Sequence, residues 1–131
     1  KFKFKNNNFY KTYWENPKIS LYWIPYDGQS VGQVCYNNGN YCDKKVHNNC
    51  GIKIAQFQSN YNFKLESRSS KVKELNLKNS TSQEMACSAW MLLNPYENLS
   101  QRLITSGYVH VKSDINDFGD VDVNEEYYYI N

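Results

Sequence analysis

The sequence predicts an α+β fold: a mainly antiparallel β-sheet with one packed α-helix at about residues 82–94, stapled by disulfide bonds. Three observations lead to this prediction. Short aromatic and β-branched segments, separated by turn residues, fill most of the chain, as in antiparallel sheets. One later segment instead repeats its apolar residues at helical spacing. An even number of cysteines, four in 131 residues, favours disulfides. At this length we expect one domain, residues 1–131.

Before the helix, the pattern predicts only strands and turns. KFKFK alternates strictly between lysine and phenylalanine, which is typical of an edge strand. The following segments are rich in aromatic and β-branched residues and are bounded by Asn-Pro, Asp-Gly and similar turn pairs. The predicted strands of this part are residues 1–5, 9–14, 19–24, 30–36, 41–46, 52–57, 61–67 and 72–77.

The helix prediction depends on a capping box and a periodic pattern. Residues 81–84 read TSQE, in which the Thr hydroxyl and the Glu carboxylate satisfy backbone donors at a helix start. Asn94-Pro95 ends the run. We expect Trp90 to be buried on the face that it shares with Ala86 and Leu93. The apolar residues at helical spacing are Met85, Ala86, Ala89, Trp90, Leu92 and Leu93.

After the helix, the pattern predicts a turn through residues 96–103 and closing strands at 108–112 and 126–130. We expect the two chain ends to pair as adjacent antiparallel strands. The lysines of KFKFK would then lie opposite the acidic C-terminal segment, and such cross-strand pairs are stabilising.

The cysteine spacing leaves two disulfide pairings open. The Asn-Gly pair at 38–39 favours a hairpin, because a type I′ turn needs positive φ at both central residues. That turn sets Cys35 opposite Cys42, within bridging distance, and leaves Cys50 for Cys87. We prefer this pairing. The rival, Cys42–Cys50 with Cys35–Cys87, is nearly as plausible.

Two other chemistries would use the same cysteines. A zinc site fits less well, since zinc ligands usually come two to four residues apart and only His47 and Cys50 approach that spacing. A small cysteine hydrolase would use Cys87 near the helix start, with His110 as its base. An unpaired Cys87 would, however, leave an odd number of cysteines for disulfides.

Charge and hydropathy limit the classes of partner that we expect for this protein. Residues 1–78 hold 13 lysines and arginines against 5 acidic residues, whereas residues 79–131 hold 2 against 8. The basic residues are dispersed without a nucleic-acid-binding motif, so we expect no nucleic-acid partner. No segment approaches the ~20 apolar residues of a membrane span. The even cysteine count favours an oxidising compartment, and we expect a secreted or periplasmic protein.

The segment DINDFGDVDVNE, residues 114–125, resembles a calcium loop in part. It matches four ligand positions and the turn glycine of a twelve-residue EF-hand loop. The fifth position is phenylalanine, which cannot bind a metal, and the flanking sequence is typical of strands. We therefore expect no required cofactor and keep an irregular Ca²⁺ loop as an alternative to an acidic turn. Its ligands would be Asp114, Asn116, Asp122 and Glu125.

Aromatic density is the remaining functional feature. Tyr and Trp are enriched at interfaces, because each gives a large contact area with a polar tip. Alternation along a strand buries one of each adjacent pair, so some of these rings should be exposed. The candidate binding residues are Tyr10, Tyr13, Trp14, Tyr22, Trp23, Tyr26 and Tyr128.

The leading hypothesis is therefore a non-enzymatic binding module that recognises a protein partner through an aromatic sheet surface. An inhibitor, an immunity protein, an adhesin subunit or an effector would fit this description. A carbohydrate-binding module is the second hypothesis, and the hydrolase with Cys87 and His110 is the third.

Overall fold

Alternating aromatic and β-branched residues form strands over most of the chain, and the fold belongs to the predicted α+β class. The computed structural model describes residues 1–36, 42, 44–46, 48–60, 62–94 and 101–129, and their side chains except those of residues 46 and 123–129. The elements are β1 (Phe2–Lys5), β2 (Thr12–Ile24), the 3-10 helix Gln33–Cys35, β3 (Lys44–Val46), β4 (Asn49–Gln58), β5 (Asn62–Leu65), β6 (Ser70–Lys73), β7 (Asn76–Leu77), α1 (Ser82–Leu93), β8 (Gln101–Lys112) and β9 (Asp117–Tyr129).

These strands form two sheets. The larger has the order β3-β4-β2-β8-β9, with β5 also paired to β2 and β7 to β4, and the smaller pairs β1 with β6. By its internal packing the chain divides into two compact units. The prediction of one domain over residues 1–131 stays a prediction. The first unit comprises Lys1–Ile19, Phe57–Leu77 and Gly107–Val123, and the second comprises Ser20–Gln56, Lys78–Ser106 and Asn124–Asn131.

The predicted pairing of the chain ends is wrong. β1 pairs antiparallel with β6, so that Phe2 lies opposite Lys73 and Phe4 opposite Lys71. Phe4 is buried in the core of the first unit. Burial of the phenylalanine face against that core, rather than charge pairing with the C-terminal segment, determines where this strand lies. That core contains Phe4, Ile19, Phe63, Leu65 and Leu75, with Phe2, Trp14 and Phe57 packed against it.

Several strand boundaries also differ from prediction. β2 is continuous through Asn16-Pro17, where a break was expected, and Asn16 has φ 50°, a conformation typical of a β-bulge, where a strand tolerates proline. Residues 33–35 form a 3-10 helix within the predicted strand 30–36. β8 begins at Gln101, inside the predicted turn, and β9 includes most of the acidic segment expected to be a loop. The expected Asn-Gly hairpin lies outside the described residues.

The predicted helix is confirmed, but its buried face is different. The Thr81 hydroxyl accepts a hydrogen bond from the Glu84 N–H at 3.1 Å, which is one of the two bonds of a capping box. Cys87 and Met91, one turn apart, are the buried helix residues. Leu93 is 80% exposed, so it does not share a buried face. Trp90 is half-buried, and its ring lies against Gly32.

The disulfides follow the rival pairing, and the preferred one is wrong. Cys35 is bonded to Cys87 with Cα atoms 4.6 Å apart, and Cys42 to Cys50 with Cα atoms 4.8 Å apart. The first bridge joins the 3-10 helix to α1 inside the core of the second unit, where both of its cysteines are buried. Two structural bridges indicate an oxidising environment. The described helices include none that is long and apolar enough to span a lipid bilayer.

Candidate functional site

A buried asparagine fixes the loop that follows β1. Asn6 is 1% exposed, and its side-chain amide donates to the carbonyl oxygens of Tyr10, Leu65 and Glu66 at 2.8, 3.2 and 3.1 Å. Its own side-chain oxygen accepts from the backbone N–H of Asn8 at 3.0 Å. A fully bonded amide of this kind holds the loop in one shape, because breaking any bond would leave a buried polar group unpaired. Tyr10 is therefore presented by a fixed backbone.

Tyr10 forms one side of an aromatic groove in the first unit. Its ring stacks on Phe118 of β9, with centroids 6.3 Å apart and ring planes 19° apart. The cavity volume is about 320 Å³, near the lower end of the range for ligand pockets. We call this surface the aromatic groove. Its lining residues are Lys5, Asn6, Asn7, Asn8, Tyr10, Trp14, Val111, Phe118 and Val121.

A glycine in β9 explains why Phe118 and Val121 line the same groove. Residues three apart would point to opposite faces of a regular strand. Gly119, between them, has φ 70°, and the Asp117 carboxylate accepts its backbone N–H at 2.9 Å. A positive-φ glycine of this kind is typical of a β-bulge, which shifts the alternation by one residue. Phe118 and Val121 therefore share the face of Val111.

The same shift places two carboxylates beside one histidine. His110 precedes Val111 on β8, so its side chain points to the other face. Its Nε2 lies 2.7 Å from an Asp117 oxygen, and its Nδ1 lies 3.5 Å from an Asp120 oxygen. The pKa of Asp117 is lowered, chiefly by the Gly119 N–H bond and also by His110. The hairpin of β8 and β9 thus has an apolar face with the groove and an acidic face with His110.

A shallow cavity of about 310 Å³ adjoins Tyr10 at the turn between β8 and β9. Ser113 closes this turn, since its N–H donates to the Asn116 carbonyl at 2.7 Å. Ile115, at the tip, is 88% exposed. The pKa of Lys11, on the rim, is raised, chiefly by Tyr13. An aliphatic side chain this exposed extends the apolar surface of the groove beyond its aromatic rings.

The predicted aromatic residues do not form one surface. Of the seven, Tyr10 and Trp14 line the groove. Tyr13 is half-buried on β2 beside Lys11, whose Nζ lies 5.8 Å from the ring centroid. Tyr26 is half-buried in the second unit, and the side chain of Tyr128 lies outside the described residues.

Two of these seven residues belong to the core. Tyr22 and Trp23 are buried together with Ile24, so this end of β2 is covered on both faces and the expected alternation fails. Trp23 Nε1 donates to the side-chain oxygen of the buried Gln101 at 3.0 Å. Neither ring offers contact area to a partner.

The sequence predicted two of the nine residues that line the groove, Tyr10 and Trp14, as binding residues. Phe118 and Val121 entered the prediction only as positions of the possible calcium loop, and Val111 only as part of the strand 108–112. A Phe-Gly pair between turn and strand is the available signal, because glycine inside a strand pattern suggests a bulge.

The four predicted calcium ligands are spread along the hairpin. Asp114 and Asn116 lie in the turn, and Asp122 lies on β9. Extended strand advances about 3.3 Å per residue, so Asp122 is far from Asn116 along the hairpin. The side chain of Glu125 is outside the described residues, and within the described part no group of three or more His, Cys, Asp or Glu residues is placed to hold a metal ion. Calcium binding stays a prediction.

The cysteine-based chemistries lack a thiol. Cys87 is bonded to Cys35 and is 1% exposed, whereas a cysteine nucleophile must be a free thiolate. Cys42 and Cys50 are also bonded, so they supply no thiolate for zinc. His47 lies outside the described residues.

Two further cavities lie among the described residues of the second unit. One, of about 310 Å³, lies beside the start of α1 and the Cys35–Cys87 bridge. The other, of about 350 Å³, is lined mainly by polar residues, among them Tyr26, Asp27 and Gln29. Neither combines exposed aromatic rings with an apolar floor as the aromatic groove does.

The comparisons with known proteins assign neither a family nor a function. No protein family, no curated protein and no solved structure matches the chain.

Proposed function

We propose that this protein is a secreted or periplasmic, non-enzymatic binding module that recognises a protein partner through the aromatic groove. The supporting observation is the exposure of adjacent apolar side chains on a fixed backbone. Tyr10 and Phe118 are 46% and 43% exposed although their rings stack on each other, and Ile115 lies beside Tyr10. The centres of protein interfaces are enriched in aromatic side chains of this kind. Burial of this exposed apolar area against a partner is favourable because it removes apolar surface from water.

The preorganisation of the loop also supports binding. The Asn6 bonds and the stacked ring pair hold Tyr10 before a partner arrives. A surface that is ordered in advance loses less conformational entropy on association. The two disulfides suit an extracellular or periplasmic setting.

Peptide display tests the proposal. A library of short peptides is panned against the oxidised protein, and the selected peptides are titrated against Tyr10→Ala/Phe118→Ala. Truncating two aromatic anchors at the centre of an interface should weaken binding by roughly thirtyfold or more. Tyr108→Ala is the matched control, because Tyr108 is 40% exposed on β8 but does not line the groove. Selected peptides that bind the double variant as well as they bind wild type would refute the proposal.

A carbohydrate partner is the second candidate, and one observation favours it. Asn7 and Asn8 are exposed at the groove rim beside the Tyr10 ring. Side-chain amides donate and accept hydrogen bonds with hydroxyl groups, and a ring face can cover the apolar face of a sugar. A glycan array probed with wild type and the same double variant tests this candidate. Glycan binding that needs Tyr10 and Phe118, without any selected peptide, would replace the protein partner by a carbohydrate.

A further inference from the structure

The outer edge of β9 is unpaired in the described part of the structure. β9 is last in the strand order and has β8 as its neighbour. Asp120, Val121 and Asp122 are exposed, and outside the sheet ladder the described residues show no backbone hydrogen bond to them. An edge strand presents a row of N–H and C=O groups that another extended chain can pair with.

The negative charge of β9 determines which kind of strand can pair with its outer edge. β9 has the sequence DFGDVDVNEEYYY, with five acidic residues and no lysine or arginine. A second β9 paired edge to edge would set carboxylates near carboxylates, which is destabilising. A lysine- or arginine-bearing strand would instead place cations opposite Asp120 and Asp122. The acidic edge therefore disfavours pairing with its own copy and favours a basic segment.

The two faces of β9 define the side-chain pattern of that segment. Asp117 and Asp120 point to the face of His110, and Phe118 and Val121 point to the groove. A strand added beside β9 alternates its side chains in the same way. Its basic residues would lie along the acidic face and its apolar residues over the aromatic groove.

We infer that the partner docks by β-strand addition: an extended segment that alternates basic and apolar residues pairs with the outer edge of β9. This inference rests on the proposed function, because it specifies how a protein partner would use the same groove. Main-chain hydrogen bonds to β9 give affinity, and the Asp120–Asp122 edge and the groove give selectivity.

Backbone methylation of a defined peptide tests the hydrogen-bonding part. The probe is a synthetic peptide of alternating lysine and phenylalanine, long enough to span residues 117–122. One version is N-methylated at every lysine and a second at every phenylalanine. Since alternate N–H groups of an added strand face β9, one version should lose about thirtyfold or more in affinity while the other binds like the parent peptide. Equal affinity of the two versions would overturn strand addition.

Charge reversal tests the selectivity. Asp120→Lys/Asp122→Lys should weaken binding of the parent peptide about tenfold or more, whereas Glu74→Lys, a charge reversal at an exposed residue between β6 and β7, should have little effect. Thermal unfolding of each variant checks that it is folded. Unchanged affinity after the double reversal would overturn the basic occupant, and so would reversible self-association of the wild-type protein in sedimentation experiments without peptide.

The two proposals fail in different ways. If peptide binding requires Tyr10 and Phe118 but is not weakened by N-methylation of the peptide, the groove binds a protein and strand addition is wrong. If binding depends on methylation but not on these two rings, the edge is used and the proposed groove function is wrong.

Discussion

The two disulfides should contribute unequally to the free energy of unfolding. Cys35–Cys87 joins residues 52 apart in sequence, and Cys42–Cys50 joins residues 8 apart. In the chain-entropy model, loops of these sizes stabilise the folded state by about 4 and about 2.5 kcal/mol near room temperature. Replacing Cys35 and Cys87 with alanine also removes two buried sulfur atoms from the core of the second unit, and the resulting cavity adds to the cost. We therefore expect Cys35→Ala/Cys87→Ala to cost more than Cys42→Ala/Cys50→Ala by about 2 kcal/mol or more.

Urea unfolding of the wild type and the two double variants measures this difference, with the slope checked for changes in the unfolded state. Peptide mapping of the unreduced wild type is the control, and it should recover fragments that link Cys35 to Cys87. An equal cost for the two double variants, or a larger cost for Cys42→Ala/Cys50→Ala, would refute the reasoning. Fragments that link Cys35 to Cys42 would refute the connectivity itself.

Three further changes test the packing, the helix cap and the acidic turn. Gly32→Ala should destabilise by about 1–3 kcal/mol, because the added Cβ would lie 2.7 Å from Cδ2 of Trp90. In a double-mutant cycle measured by urea unfolding, Trp90→Ala should remove that cost, and an equal cost in both backgrounds would contradict the contact. Thr81→Ala should cost about 1 kcal/mol by loss of the N-cap hydrogen bond, whereas Thr81→Ser should retain the stability in the same measurement. Because the pKa of Asp117 is lowered in the folded state, the ionised carboxylate stabilises the fold. This contribution to the free energy of unfolding is complete above the ordinary carboxyl pKa and is lost as the pH falls through the lowered value. Asp117→Asn should therefore make the free energy of unfolding depend less on pH in the acid range. An unchanged pH dependence in that range would contradict the role of the Gly119 N–H bond.

Local interactions explain what could be predicted. The helix at Ser82–Leu93 needs only the capping residues, the periodic apolar pattern and the Asn-Pro stop, all within one short segment. The even cysteine count predicted the presence of two bridges. Two groove residues, Tyr10 and Trp14, were predicted as part of an aromatic-rich segment because interfaces favour such rings.

Non-local contacts decided the rest. Asn-Gly at 38–39 favoured one disulfide pairing, but the approach of α1 to the 3-10 helix brings Cys87 to Cys35 instead. Burial of both faces placed Tyr22 and Trp23 in the core, which alternation along a single strand cannot indicate.

The aromatic groove shows the same division within a single surface. By itself the sequence determined which aromatic and acidic residues could form the groove and the edge. It also determined that a glycine lies in the middle of a strand pattern. Only the tertiary structure decided that β9 pairs with β8, that the bulge at Gly119 shifts the alternation, and that Phe118 consequently contacts Tyr10 while Asp120 lies beside His110. The physical reason is that a one-residue shift reverses the face of every following side chain, and its consequence depends on the neighbouring strand and loop.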